Sequence, residues 1–319
     1  CGPGVHDEAW KESQIAALWK MAGPEFDHDP HPQPPQCFRD PEHVRDLVKG
    51  LKSRGEIHAD DPPPAVTPLS ESATNDEEPS PRQWPPTRIY RTCVGTLKDV
   101  YGFGPLVAAE AQRRGFYEAP RQVFLGDGDP KNWTVHKLHF PHFTPVTDFV
   151  HPLSYVYQAA GAVTNSRAAQ WEQYDLWMTD LWQGRVANVL AELATWQVRL
   201  GLPPRDAPDD DPRQIVASTL TYLTNNAPRM DYPAYRRRGL PITSCLVESL
   251  IKEFNRRVKG TEKFWNRPQG AEAILQVRAA QLSDGDQLSH FIQHRPGQLH
   301  YRRTYPNSPR PQKPKPAKK

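Results

Sequence analysis

Two short apolar runs that each stop at an acid restrict this chain more than any other feature. Val123, Phe124 and Leu125 lead into Gly126-Asp127-Gly128, and Val146 leads into Asp148, with His151 three residues further on. A short apolar run bounded by turn signals reads as a buried strand. In α/β sheets the strand ends are where ligands collect. Between the two runs, the stretch around Trp133–Leu138 reads as a short helix. Strand, helix and strand in quick succession predict a crossover unit within a mixed α/β sheet. Asp-Gly is also an ordinary turn signal. The same residues therefore admit a plainer reading, with Asp127 in a turn and Asp148 capping a helix.

The flanking segments supply the rest of the sheet. Trp10–Met21 is apolar at Ile15, Ala17 and Leu18 and reads as a core strand. A short helix is the alternative there, because alanine and leucine favour one. Cys1–Asp7 carries Gly2-Pro3-Gly4, a turn signal, and so sets a further strand upstream of Cys1. Arg88–Leu97 has the β-branched and aromatic residues of a strand. Gly104–Gly115 reads as a helix with Pro105 in its first turn, Arg113-Arg114 in its last, and Gly115 as its stop.

Proline is excluded from helix and sheet interiors, and 35 prolines among 319 residues mean that much of the chain is loop. They concentrate in Gly23–Pro86, an insertion between two strands that holds one plausible helix at Pro41–Arg54. Asp27, His28, Asp29 and His31 are metal-ligand types, but the prolines around them indicate an exposed loop. From Pro152 to Asn226 the apolar spacing is helical throughout, with Ser166–Gly201 as one long middle segment. Trp171, Trp182 and Trp196 fall on about one side of such a helix and Trp177 elsewhere. Core packing in a helical subdomain is the reading for these tryptophans, with stacking on DNA bases as the lesser alternative. Beyond it, Thr243-Ser244 cap a helix with Glu248 near its start and Lys252, Arg256, Arg257 and Lys259 on later turns. Gly270–Ser283 reads as the last helix. His136, His139 and His142 are evenly spaced, but Pro141 interrupts them, which favours a structural role over a metal site.

Charge placement is uneven. The formal net charge is only +3, yet no acid follows Asp286, and Arg302, Arg303, Arg310 and four lysines lie in the tail. Such a segment buries too little apolar surface to fold alone. It suits loose phosphate contacts, with a solvated terminus as the alternative. The four cysteines show no Cys-x-x-Cys spacing, so free thiols in a reducing compartment are expected. No apolar run reaches membrane-spanning length and no signal-peptide pattern opens the chain. A soluble intracellular protein is expected.

Three acids delivered by two strand ends and one helix, Asp127, Asp148 and Glu248, could gather around hard divalent cations. Two such ions roughly 3.5–4 Å apart stabilise the attacking and leaving oxygens of a phosphoryl displacement. The succession LGDGDPKNW, TDFVHPLSYV, LPITSCLVESLIKEFNRRVKGTEKFW and GAEAILQVRAAQLS resembles bacterial insertion-sequence transposases with a DDE catalytic core. The resemblance is nearest to the Kra-type elements related to the Mutator group. It spans Ile89–Ser283 and, more loosely, Trp10–Gln14. Asp127, Gly128 and Trp133 match the family's Asp-Gly…Trp stretch. Asp148 and His151 match its Asp-x-x-His motif. Glu248 matches the catalytic Glu that opens a helix after an all-α insertion, followed by Lys259, Gly260 and Trp265.

The resemblance implies an α/β, ribonuclease-H-like mixed sheet with an all-α insertion between the acidic strands and the Glu helix. Residues 1–22 would hold the second strand, 23–87 the Pro-rich insertion and 88–151 the core. The helical insertion would occupy 152–240, the Glu-bearing and C-terminal helices 241–295, and a disordered basic tail 296–319. Asp127 and Glu248 would be catalytic metal ligands for Mg²⁺ or Mn²⁺, with Asp148 and His151 in support. Lys252, Arg256, Arg257, Lys259, Arg302 and Arg303 would contact DNA, both transposon ends and target. Self-association and a bacterial cytoplasmic, nucleoid-associated location are further expectations. The chain departs from the family in three places, and reads as a C-terminal part that lacks the family's N-terminal DNA-recognition region. The first catalytic Asp is expected upstream of Cys1, and Thr243-Ser244-Cys245 stand where glycines are usual. DNA cleavage and strand transfer by two-metal phosphoryl transfer, incomplete in this chain without that first Asp, is therefore the expectation, with a non-enzymatic DNA-binding protein derived from a transposase as the alternative.

Overall fold

Aspartate followed by proline starts three helices of this protein, at Asp40-Pro41, Asp129-Pro130 and Asp211-Pro212. The reason is local. The carboxylate accepts from a backbone N–H of the first turn, as Asp129 does from Lys131 at 2.7 Å and Asp211 from Arg213 at 2.8 Å. Proline costs nothing at a position whose N–H lacks a partner in any case. The structure, a computed structural model, describes residues 12–52, 85–243, 250–251, 253–254, 268–285 and 287–294. Residues up to Ser283 make one unit and those from Asp284 a second, in which Gln287–His294 is helical.

The first unit is mixed α/β. Strand β1 (Gln14–Ala22) pairs antiparallel with β2 (Thr87–Thr96), Gln14 opposite Thr96, with a register shift between Lys20 and Met21. Helix α1 (Pro41–Lys52) lies between them in sequence. Helix α2 (Val100–Arg113) leads to β3 (Val123–Gly126). Helix α3 (Pro130–His139) then crosses over to β4 (Thr144–Thr147), which pairs parallel with β3. Five helices follow: α4 (Val150–Val163), α5 (Arg167–Trp182), α6 (Val186–Leu200), α7 (Pro212–Asn226) and the short α8 (Tyr232–Arg237). Helix α9 (Pro268–Leu282) packs on β2.

Three apolar clusters hold these elements. The largest lies within α4–α7 and reaches β4 and α1, with Leu153, Val156, Trp177 and Leu193 fully buried. At about 1.5–3 kcal/mol for each buried large apolar side chain, this block carries most of the unit's apolar stabilisation. A second cluster packs α2, α3 and the Phe116 turn on one face of β1, through Ala16 and Leu18. A third packs Leu250, Phe254 and α9 on the other face, against Ile15, Ala17 and Cys93. The β1–β2 pair is thus covered on both sides by helices.

Several expectations change. The single sheet expected from the sequence is two two-stranded sheets among the described residues, since no backbone ladder joins β1 to β3. Helix α2 begins at Val100 rather than Gly104, because the Asp99 carboxylate caps it by accepting from Gly102 N–H at 2.9 Å; Pro105 therefore sits inside the helix. The long middle segment is two helices. Gly184, at φ +74°, turns the chain between them, which destroys the register of the tryptophan row. Trp177, assigned away from that row, is fully buried with Trp182, whereas Trp171 and Trp196 are only half-buried.

The start of the Pro-rich insertion is no free loop. Arg236, fully buried, donates to both carboxylate oxygens of Asp29 and to the Trp182 carbonyl, and its guanidinium lies 4.2 Å from the Trp182 ring. Trp182 in turn donates to the His31 carbonyl at 2.8 Å. Asp29 is thereby an ion-pair partner, while Asp27 and His28 are exposed. A helix also follows the one expected to be last, at Gln287–His294. Cys37 and Cys93 are free thiols. Cys1 and Cys245 lie outside the described residues.

Candidate functional site

The parallel pairing of β3 with β4 sets the site. Gly126 stands opposite Thr147, so the next residue of each strand, Asp127 and Asp148, emerges at the same sheet edge. The Asp148 N–H donates to the Gly126 carbonyl at 2.8 Å, which carries the ladder one step past the strand ends. Both acids, with His151, line a cleft of about 440 Å³ that also runs beside β1.

Asp127 is half-buried and its orientation is fixed. Its Oδ1 accepts from the Asp129 N–H at 2.9 Å and from Asn132 Nδ2 at 2.7 Å. Its carbonyl accepts from the Tyr222 hydroxyl of α7 at 2.8 Å. That approach needs Gly128: a Cβ on this residue would lie 2.6 Å from Tyr222 Cε2, and φ is +96°. Tyr222 stacks on Tyr155 of α4 with ring centroids 3.9 Å apart. Burial pushes both phenols above their ordinary range, and the Asp127 charge adds to it. Both therefore stay neutral donors near neutral pH.

Asp148 is almost wholly buried. Its Oδ1 accepts from the Val150 N–H at 3.2 Å, and its Oδ2 faces His151 Nε2 at 3.8 Å. It follows β4 directly and precedes Phe149, the residue at the N-cap position of α4. Around it, Tyr232 donates to the Thr147 carbonyl and Phe149 N–H to the Ile242 carbonyl. A second anchor ties α3 to α7. Trp133 Nε1 donates to Asn226 Oδ1 at 3.2 Å, and the Arg229 guanidinium lies 4.3 Å from the Trp133 ring.

Of the residues singled out by sequence, Asp127, Asp148 and His151 come together in one cleft. Glu248, Lys252, Arg256, Arg257, Lys259, Arg302 and Arg303 lie outside the described residues. His136 hydrogen-bonds with the Phe143 carbonyl at 2.9 Å, in keeping with a structural role. Sequence reasoning missed Tyr155, Tyr222, Asn226 and Arg229. Only Trp133, already part of a motif, gave any hint of them.

Asp127 and Asp148 are hard oxygen donors, the right type for Mg²⁺ or Mn²⁺. Among the described residues, however, no group of three His, Cys, Asp or Glu side chains could hold a metal. The described donors thus fit such an ion in kind and stop short in number. Among the described residues no helix is long and apolar enough to cross a membrane. Comparison with family models, curated proteins and solved structures finds no match.

Proposed function

We propose that this chain is the catalytic part of a DDE-type transposase with a ribonuclease-H-like core, acting on DNA by phosphoryl transfer. One observation carries the reading: a parallel strand pair that ends in Asp127 and Asp148 on a single cleft. In the first step a water oxygen attacks a backbone phosphorus. The water gives up a proton as the bond to the 3′-oxygen breaks, and that oxygen takes one up, leaving a 5′-phosphate and a free 3′-hydroxyl. In the joining step the 3′-hydroxyl attacks a phosphorus of the target strand, losing its proton and displacing the 3′-oxygen there, which takes up a proton as a new 3′-hydroxyl.

Asp127 presents a carboxylate whose direction is locked by Asn132 and the Asp129 N–H, so no rotamer search precedes binding. Asp148 brings a second carboxylate to the same cleft, and His151 Nε2 faces its Oδ2 at 3.8 Å. Glu248 is the further carboxylate of the proposal. A divalent ion held by Asp127 and Glu248 would supply Lewis-acid stabilisation of the attacking and leaving oxygens.

The test is strand transfer in Mg²⁺ or Mn²⁺ by the chain extended through the reading frame ahead of Cys1. Activity is expected there, with a loss of at least about 100-fold in Asp127→Asn and Glu248→Gln. An extended chain that folds and stays inactive would overturn the catalytic reading. Salt-sensitive DNA binding that survives both substitutions would then establish a DNA-binding protein.

A further inference from the structure

Two histidines lie one turn apart on the last described helix, α10 (Gln287–His294). Residues at that spacing share a side of an α-helix, so His290 and His294 are neighbours on its surface. Their rings stack, with centroids 3.9 Å apart and planes 24° from parallel. Both residues are exposed. Leu288, Phe291 and Ile292 recur at helical spacing on the opposite side of α10. Packing of that apolar side would leave the imidazoles open.

One hydrogen bond fixes the chemistry of the pair. His294 Nδ1 lies 2.8 Å from the His290 carbonyl. A carbonyl only accepts, so Nδ1 carries the proton and the neutral ring keeps its lone pair on Nε2. A metal-bound histidine has this same arrangement, one ring nitrogen donating to a backbone carbonyl and the other free to ligate. Two nitrogens bound to one zinc ion at about 2.0–2.1 Å in tetrahedral geometry stand roughly 3.4 Å apart. Rings with centroids 3.9 Å apart are already near that span, and side-chain rotation alone can close it. The last turn of a helix also favours a positive charge.

We infer that His290 and His294 chelate one borderline transition-metal ion of the Zn²⁺ type, with water on the remaining positions. Two histidines one turn apart on a helix are a recurrent zinc-binding arrangement. Imidazole nitrogens suit Zn²⁺, Cu²⁺ and Ni²⁺, whereas Mg²⁺ prefers oxygen. The pair therefore differs in ligand class from the carboxylates Asp127 and Asp148. The ion's effect is mechanical. A helix of eight residues is too short to be stable through its own hydrogen bonds, and a chelate across one turn binds the helical form alone. The ion thus clips α10 shut, suppressing its opening by one plus the ratio of free Zn²⁺ to Kd. None of this depends on whether the chain acts on DNA.

The test uses the 319-residue chain, stripped with a chelator and titrated with Zn²⁺ alone, and follows amide hydrogen exchange of residues 287–294. At free Zn²⁺ about ten times the titration midpoint, that segment is expected to exchange about tenfold more slowly. Mg²⁺ at the same concentration should leave it unchanged. His290→Gln and His294→Gln should each abolish the slowing without altering the urea midpoint of the chain. Scoring this segment alone excludes Zn²⁺ bound elsewhere. Imidazole ¹⁵N spectra give a second readout that needs no variant, with His294 Nε2 shifting as Zn²⁺ is added. Exchange and spectra both unmoved by Zn²⁺ up to about 1 mM overturn the inference. So does slowing that survives the double substitution, or equal slowing by Mg²⁺.

Discussion

Replacing Gly128 with alanine puts a single methyl group into the contact that joins the helical block to the acidic strand. The new Cβ would lie 2.6, 2.8 and 2.9 Å from Cε2, the hydroxyl and Cζ of Tyr222, well inside van der Waals contact. The backbone at φ +96° is one that L-residues adopt at a cost of about 1–3 kcal/mol. Tyr222 must also move. That forfeits its hydrogen bond to the Asp127 carbonyl, about 0.5–1.5 kcal/mol, and part of its stacking on Tyr155, about 0.5–1.5 kcal/mol. Together these give a destabilisation of roughly 2–6 kcal/mol, read as a lower midpoint in urea at unchanged slope. Tyr222→Phe serves as the partial control, with a loss of only about 0.5–1.5 kcal/mol from the missing hydroxyl. The double variant Gly128→Ala, Tyr222→Ala should cost less than the sum of its single changes, because the clash disappears with the ring. A Gly128→Ala loss below about 0.5 kcal/mol, or strict additivity in the cycle, would refute the close approach of α7 to this turn.

Two further outcomes follow from buried groups elsewhere. Trp177 is fully buried and donates to Glu192 Oε2 at 2.7 Å; Trp177→Ala should cost about 3–5 kcal/mol in urea unfolding. In acid, three carboxylates act together. Burial works to raise Asp29, Glu110 and Glu272, but hydrogen bonds outweigh it: from Arg236 to Asp29, from Thr92 and two arginines to Glu110, and from Leu97 N–H and Thr96 to Glu272. Each lies below its ordinary value of 3.8 for Asp29 or 4.5 for the glutamates. A depressed folded value gives stability that is complete above the unfolded value and is lost as pH falls through the folded one. Urea midpoints should therefore hold from pH 7 to about 5 and fall below about 4. Asp29→Asn should flatten that fall and lower the midpoint at pH 7. A midpoint independent of pH down to about 3 would contradict the assignment.

What the sequence disclosed is what local chemistry decides. The Asp-Pro starts of α1, α3 and α7 are short-range signals, as is the apolar run that ends at Asp127. The crossover β3–α3–β4 follows from strand and helix signals lying close together, and it brings Asp127 and Asp148 to one edge. The misses come from distance or from competing local codes. Asp99 captured the start of α2 ahead of Pro105 because a side-chain cap satisfies backbone donors that proline does not supply. Gly184 broke a helix whose apolar spacing continued across it. Arg236 and Asp29 are 207 residues apart, and Tyr222 and Asp127 95 apart, and no periodicity reports contacts of that range. That no ladder joins β1 to β3 among the described residues was likewise invisible, because each strand looks complete in its own residues.

The hydrogen bond from Asp148 N–H to the Gly126 carbonyl has a consequence for how this site can vary. It sets the distance between the two acid-bearing backbones at the pitch of a sheet, about 4.8 Å. The acids are therefore spaced by a ruler that mutation of the helices cannot lengthen. Substitutions on α4 and α7 alter what reaches the edge and how Asp127 is steered, through Tyr155, Tyr222 and Asn226. Selection can thus reshape the supports of the Asp127 turn while the backbone interval between Asp127 and Asp148 stays constant.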